Sequence, residues 1–178
     1  DDGLDTSFNL HHRAYEQIFS RLGLETIAVQ ASAGAMGGSD SVEFMVKSDA
    51  GEDDVAVCPK CNYAANIETA TATLVSIEDR SGSEAPLRFP TPGVKTIDAL
   101  VGLGHPAEHQ IKTLVYKVDD ELALLLLRGD HPFQQQKFLD ATSVSTIFPA
   151  DGDEIRDAMG ASVGSLGAVD VSGLTIYA

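Results

Sequence analysis

The amino-acid sequence predicts an α/β (α+β) fold. Three observations support this: a helix pattern leads into three short strand patterns, helix and strand patterns alternate from Thr96 onward, and "LALLLLRG" is apolar enough to form a strand buried on both faces. Hydrophobic residues make up 43% of the 178 residues and charged residues 22%, which is typical of a globular protein.

The first third of the chain predicts one helix and a small sheet. Apolar residues recur at i, i+4 spacing between Phe8 and Leu22, as expected for an amphipathic helix that Thr6 or Ser7 caps and Gly23 ends. The stretches "ETIAVQAS", "VEFMVKS" and "DVAVC" predict three strands of an antiparallel sheet, and "SAGAMGGSDS" predicts a loop.

After Asn66 the pattern changes, so we place a domain boundary near residue 66. The stretch "IETATATLVSI" fits a strand or a helix, and "EDRSGSEAPLRFPTPG" predicts a linker or long loop. Helices are predicted in "TIDALVGLG", near "PAEHQIK", in "HPFQQQKFLDAT" and in "DGDEIRDAMG". Strands are predicted in "TLVYKV", "LALLLLRG" and "VSTIFPA", and the final "ASVGSLGAVDVSGLTIYA" predicts a glycine-rich loop and a strand.

The charge and the apolar pattern limit the possible partners. The formal net charge is −15, from 27 acidic and 12 basic residues, so a nucleic acid could bind only through a local basic patch. No apolar run reaches the roughly 18 residues that span a membrane, and the N-terminus lacks the features of a signal peptide. With only two cysteines in the chain, we expect a reducing, cytoplasmic location and no membrane partner.

The two cysteines form Cys58-x-x-Cys61, which allows a zinc site, a redox dithiol or a turn without metal. The only other pair at ligand spacing, His105 and His109, is distant in sequence and interrupted by Pro106. A redox dithiol is usually followed by a helix, whereas Pro59 and Lys60 predict a turn. We therefore favour the turn without metal and expect no stoichiometric zinc.

Three other features are candidates for chemistry. Lys112 precedes "TLVYKV", where its cation could face a pocket or simply be solvated. The string Arg128, Gly129, Asp130 and His131 ends the apolar strand. It could form a ligand site at the strand end, a turn with an Arg–Asp pair, or a catalytic Asp–His dyad. The loop "GSLGAV" could present backbone N–H groups to a ligand or be a tight turn. No P-loop, GxGxxG or GxSxG motif is present.

Longer strings resemble a known family. The stretches "FSRLGLETIAVQASAGAMGGSDSVEFMV", "AGEDDVAVCPKCNYAANIE" and "KTLVYKV…LLLLRGDH…GSLGAV" are similar to bacterial-type prolyl-tRNA synthetases across nearly the whole chain. The resemblance implies that residues 1–66 are a piece of the class II catalytic core, with its helix and antiparallel strands. It implies that residues 67–178 are a mixed-sheet editing insertion of the tRNA-deacylase type, incomplete at its C-terminal end.

The resemblance also implies roles for individual residues. Lys112 corresponds to the family's pocket lysine, which would bind the terminal-adenosine phosphate and position the ester. The family's Gly-x-x-x-Pro loop, whose backbone lines the pocket, corresponds to Gly164, Ser165, Leu166, Gly167 and Ala168, with alanine in the place of proline. Arg128, Asp130 and His131 would contribute to substrate binding. We expect these residues to converge on one pocket.

The implied function is ATP-dependent attachment of proline to tRNA(Pro) in the full protein, with hydrolytic editing of Ala-tRNA(Pro) by this part. ATP and Mg would serve the full enzyme, which would be a homodimer, and no cofactor or metal is expected in this part. The family's editing aspartate and histidine would lie beyond Ala178, so the isolated chain is expected to hydrolyse little. The alternatives are a freestanding trans-editing deacylase and a decayed, non-catalytic tRNA-binding module, the latter in view of Ala168 and of Val42 in place of the usual histidine.

Overall fold

The computed structural model describes residues 2–34, 37–38, 41–78 and 88–178, and the chain divides into two compact units, Asp1–Thr73 and Leu74–Ala178. Parts of the predicted loop "SAGAMGGSDS" and of the predicted linker "EDRSGSEAPLRFPTPG" lie outside the described residues. Within the described residues, no helix is both long and apolar enough to cross a membrane.

The first unit begins with a longer helix than the sequence pattern predicts. Helix α1 spans Asp2–Arg21, so Thr6 is inside it, where its hydroxyl donates to the Asp2 carbonyl at 2.7 Å. The predicted cap at Thr6 or Ser7 is therefore wrong, because the helix continues through the polar residues before it. Gly23 ends the helix as predicted, with a φ of 72° that favours glycine.

The sheet of the first unit contains one strand more than predicted. Its strands are β1 Thr26–Ala31, β2 Ser41–Val46, β3 Val55–Val57 and β4 Ala64–Asn66, in the order β2-β1-β4-β3. Two pairs are antiparallel, but β1 and β4 are parallel through Gln30 and Ala65. The predicted antiparallel strands are thus present, within a sheet that also contains one parallel pair. Parallel strands such as β1 and β4 are joined by a long connection and not by a tight turn, so no local turn motif predicts their pairing.

The packing of α1 differs from its apolar pattern. Leu10, Ile18 and Leu22 are exposed, whereas Tyr15 and Phe19 approach the Phe44 ring of β2, with each pair of ring centroids 5.7 Å apart. Buried apolar residues of this unit are found in the sheet, at Val29, Ala64 and Ala65.

The second unit is built on a second mixed sheet. Strand β5 spans Ile111–Val118, β6 Glu121–Arg128, β7 Ile147–Pro149 and β8 Thr175–Tyr177, in the order β7-β5-β6-β8, and only the β6–β8 pair is parallel. The helices are α2 Ile97–Val101, α3 Gln135–Ala141 and α4 Gly152–Met159. Near "PAEHQIK" only a 3₁₀ turn forms, at Ala107–His109, because Ile111 already starts β5. The described part of "IETATATLVSI" after Asn66 is neither helix nor strand.

Side chains pack on both faces of this sheet. On one side, here called the α3 face, Val118, Ala123, Leu125 and Ile147 pack with Phe138 and Leu139. On the other, the α4 face, Val115, Leu124 and Ile155 pack with Leu166 and Ala168. Three consecutive β6 residues, Ala123 to Leu125, are at most 2% exposed, which confirms that this strand is buried on both faces.

Candidate functional site

Lys112 lies near the start of β5, on the α3 face. Its backbone pairs with Leu127 in an uninterrupted antiparallel register, so its side chain lies on the same face as Leu114 and Tyr116. Its Nζ is half-buried and donates to the carbonyl oxygen of Gly129 at 3.3 Å. Among the described residues no carboxylate lies within ion-pair distance of this ammonium, which retains donors for an anionic or carbonyl ligand.

Gly129 is the point where the end of β6 meets the preceding 3₁₀ turn. A Cβ at this position would overlap the carbonyl oxygen of Ala107 and lie 3.1 Å from the Cβ of Gln110. The Gly129 N–H donates to the Gln110 carbonyl at 2.8 Å, and Gln110 Nε2 donates to the His105 carbonyl at 2.7 Å. This close approach fixes the carbonyl of Gly129, and with it the acceptor that holds Lys112.

Arg128 and Asp130 flank that glycine and form the predicted Arg–Asp pair. Arg128 Nε and Nη2 donate to the two carboxylate oxygens at 2.6 and 2.9 Å, and Nη1 donates to the Val75 carbonyl at 3.3 Å. The hydrogen bonds from Arg128 hold the pKa of Asp130 below its usual value, and the same bonds raise the pKa of Arg128. His131 Nε2 is 3.8 Å from the carboxylate, too far for the hydrogen bond of a dyad.

The Arg128–Asp130 pair borders a cavity of about 420 Å³. Its other walls come from the extended segment before the predicted linker and from the 3₁₀ turn. They comprise Val75, Ser76, Ile77, Glu78, Glu108 and His109. The cavity carries both charge signs, with three acidic side chains beside one arginine and one histidine.

The small-residue loop at Gly164 packs on the opposite side of the sheet. Gly164 has a φ of 86°, and a Cβ there would lie 2.9 Å from Lys95 Cβ and 3.2 Å from the Lys95 carbonyl oxygen. Leu166 and Ala168 pack on the α4 face. Ser165, Leu166 and Gly167 line a second cavity of about 430 Å³, together with Met159 and Asp170 among others.

The structure thus brings together some of the sequence-predicted residues and separates others. Lys112 meets Gly129, and Arg128 meets Asp130, but Leu166 and Ala168 lie on the face opposite to Lys112. The two cavities share no lining residue, and Lys112 lines neither. Sequence reasoning missed Lys95, because its contact with Gly164 joins residues that are distant in the chain.

Cys58 and Cys61 are free thiols in the turn between β3 and β4, where the Cys58 N–H donates to the Tyr63 carbonyl at 2.9 Å. The pKa of Cys58 is lowered, first by a hydrogen bond from the Lys60 backbone and then by one from the Cys61 side chain. In the described part of the chain, no cluster of three or more His, Cys, Asp or Glu side chains is placed to hold a metal.

The sequence of this chain is similar to those of known proteins. Residues 91–178 match the aminoacyl-tRNA editing domain, a range that includes Lys95, Lys112, the 128–131 string and the Gly164 loop. The whole chain is similar to proline–tRNA ligase of Anaeromyxobacter sp. (strain Fw109-5), with 51% identity over 98% of this chain. The chain belongs to the proline–tRNA ligase family. Proline–tRNA ligase of Listeria monocytogenes, another member of the family, is 40% identical over 96% of this chain.

The chain spans about a third of the length of these family members: 31% of the Anaeromyxobacter protein and 30% of the Listeria protein. The first unit is part of the similarity, because the alignments extend well beyond the residues that match the editing domain. The cavity beside Arg128 is bordered partly by residues outside that match, at positions 75–78.

Proposed function

We propose that this chain supplies the hydrolytic editing site of a prolyl-tRNA synthetase, which removes alanine from Ala-tRNA(Pro). The observation that carries the proposal is the match of residues 91–178 to the aminoacyl-tRNA editing domain, within a chain 51% identical to a proline–tRNA ligase. In the full-length protein, the proposal includes ATP-dependent attachment of proline to tRNA(Pro), with ATP and Mg, in a cytoplasmic homodimer.

Editing is needed because alanine is smaller than proline. A pocket built for proline cannot exclude alanine sterically, and the missing methylenes change binding by only about 1–3 kcal/mol. A second site that is too small for proline can hydrolyse the error while leaving the correct ester intact. In such a double sieve, the hydrolytic site discriminates by size.

In the proposed reaction, water attacks the carbonyl carbon of the alanyl ester. The bond from that carbon to the ribose oxygen breaks, giving free alanine and a tRNA with a free terminal hydroxyl. A fixed cation can stabilise the negative charge that develops on the carbonyl oxygen. The editing step in this proposal uses no cofactor.

We assign the cation to Lys112, on the α3 face, and we assign the Gly164–Ala168 loop, which packs on the α4 face, to binding the tRNA 3′ end. Lys112 supports this assignment because its ammonium uses one donor on the Gly129 carbonyl and faces no carboxylate among the described residues. The loop assignment is supported by Gly164, whose missing side chain lets Lys95 pack directly against the loop. Arg128, Asp130 and His131 are assigned to substrate binding around the neighbouring turn.

A freestanding deacylase and a non-catalytic module are less favoured. The similarity to proline–tRNA ligases covers 98% of the chain, including the first unit, for which a freestanding deacylase has no use.

Hydrolysis of two matched esters by the full-length protein tests the proposal. Labelled Ala-tRNA(Pro) and Pro-tRNA(Pro) are incubated separately with the enzyme, and release of the amino acid is followed. We expect the alanyl ester to be hydrolysed at least about tenfold faster than the prolyl ester, a difference of about 1.4 kcal/mol in activation free energy. No enzyme-dependent release of alanine, or equal release of both amino acids, would contradict the proposal.

A further inference from the structure

We infer that Lys95 binds a phosphate of the single-stranded 3′ end of the tRNA and holds that end against the Gly164–Ala168 loop. The inference rests on the proposed function, because that function brings the tRNA 3′ end to this unit. It assigns the loop a cation separate from Lys112.

Lys95 packs directly against the loop. The Cβ and Cγ of Lys95 lie 2.9 and 3.3 Å from the place where a Cβ of residue 164 would be, so the aliphatic stem of Lys95 runs directly over Gly164. The left-handed backbone of Gly164, with a φ of 86°, makes this approach possible. The base of the Lys95 side chain is therefore fixed next to the loop, although the residue itself is exposed.

Within the described part of the chain, the charge of Lys95 is not offset by a neighbouring acid. Other basic side chains of the described residues are paired with carboxylates: Arg88 with Asp170, Lys117 with Glu154, Arg128 with Asp130, and Arg156 with Asp153. Among the described residues, Lys95 has no carboxylate within ion-pair distance. Its full charge is therefore available to an anion, and a lysine ammonium binds phosphate as a point charge.

The segment that contains Lys95 follows the Gly164 loop over several residues. Arg88 reaches Asp170 at 3.3 Å while Lys95 covers Gly164, so residues 88–95 run alongside residues 164–170. Asp170 borders the same cavity as Ser165 and Gly167, and Arg88 offsets its negative charge there. Among the described residues, this region thus has one paired acid, Asp170, and one lysine without a carboxylate partner, Lys95.

The overall charge favours such a cation. A chain with a formal charge of −15 repels a polyanion, and screening limits that repulsion to about 10 Å at 0.1 M salt. A local positive charge next to the loop offsets the repulsion of a phosphate that reaches it. Lys95 provides that charge on the exposed surface beside Gly164, whereas the half-buried Lys112 is assigned to the ester.

Binding of an RNA hairpin to the full-length protein tests this inference without relying on hydrolysis. The hairpin reproduces the acceptor stem and single-stranded 3′ end of tRNA(Pro), and a matched hairpin lacks the 3′ single strand. Lys95→Met keeps the aliphatic stem over Gly164 and removes the charge, Lys95→Arg keeps a charge, and Lys137→Ala removes a lysine from α3 as a control.

We expect Lys95→Met to raise the Kd for the complete hairpin by roughly threefold to tenfold, the net scale of one solvent-exposed hydrogen bond. The slope of log K against log salt should become shallower by about 0.7, the value for one single-stranded phosphate. Lys95→Arg, Lys137→Ala and all proteins with the shortened hairpin should show no such change.

Two results would overturn the inference: an unchanged Kd and salt slope in Lys95→Met, or an equal loss with both hairpins. Failure of the proposed function is recognised separately, since it appears as absent alanine release by the unsubstituted protein. Hairpin binding by Lys95→Met and alanine release by the unsubstituted protein are separate measurements, so the outcome of one does not fix the outcome of the other.

Discussion

Among the described glycines, Gly129 leaves the least room for a side chain. Its missing side chain lets the end of β6 pass under the Ala107 carbonyl, which a Cβ would overlap. Gly129→Ala is therefore expected to lower the free energy of unfolding by about 1–3 kcal/mol, as overpacking does. Chemical denaturation of the 178-residue chain measures this. Gly152→Ala is the matched control, because a Cβ there meets nothing within 4 Å and alanine favours the helix; an equal loss in both variants would contradict the account.

The Arg128–Asp130 pair gives a pH-dependent contribution with a defined sign. Arg128 lowers the pKa of Asp130, so the stabilisation is fully present above the unfolded-state pKa of about 3.9 and is lost as pH falls through the lowered folded-state pKa. Asp130→Asn should therefore unfold more easily than the unsubstituted chain at pH 6, and the difference should shrink below about pH 4. A difference in unfolding free energy that stays constant down to about pH 2.5 would show that the pair's charge contributes nothing.

At the scale of elements, sequence patterns identified those whose determinants are local. The Thr96 hydroxyl caps α2 and the Asp151 carboxylate caps α4, and each residue directly precedes a helix pattern in the sequence. The apolar run of β6 likewise indicated that this strand is buried on both faces. Strand β4 was missed because "AAN" has weak strand propensity and one of its neighbours, β1, is distant in sequence. The opposite faces of Lys112 and Leu166 likewise depend on register and sheet order, which no motif records.

Helix α4 offers a direct test of such local determinants. The Asp151 carboxylate accepts from the Asp153 N–H at 2.8 Å, and the Glu154 carboxylate accepts from the Asp151 N–H at 3.1 Å, which forms a capping box. Asp151→Ala should lower the free energy of unfolding by about 1 kcal/mol. Asp157→Ala, on the same helix but outside the cap, should change it by less than about 0.5 kcal/mol. Equal effects in a urea titration would remove the cap as the cause.

At the scale of the whole molecule, the sequence strings identified the family, and the alignments confirm that identification across 98% of the chain. The roles of single residues were implied by resemblance alone, so they remain proposals that the geometry can only support. The contact of Lys95 with Gly164 shows why more could not be predicted: it depends on the path of two segments that are far apart in sequence. The net charge of −15 directs attention to cations that have no carboxylate partner among the described residues, because a polyanionic partner is attracted to them first.

The central claim is that Lys112 belongs to an editing site separate from proline activation. Its most direct test compares Lys112→Ala with the unsubstituted full-length enzyme in two assays, deacylation of labelled Ala-tRNA(Pro) and proline-dependent pyrophosphate exchange. We predict that deacylation falls by at least about tenfold, each tenfold corresponding to about 1.4 kcal/mol, while pyrophosphate exchange changes by less than about twofold. Unchanged deacylation would make Lys112 only a solvated residue at a strand start. Equal loss of both activities would indicate a folding defect and contradict the separation of the two sites.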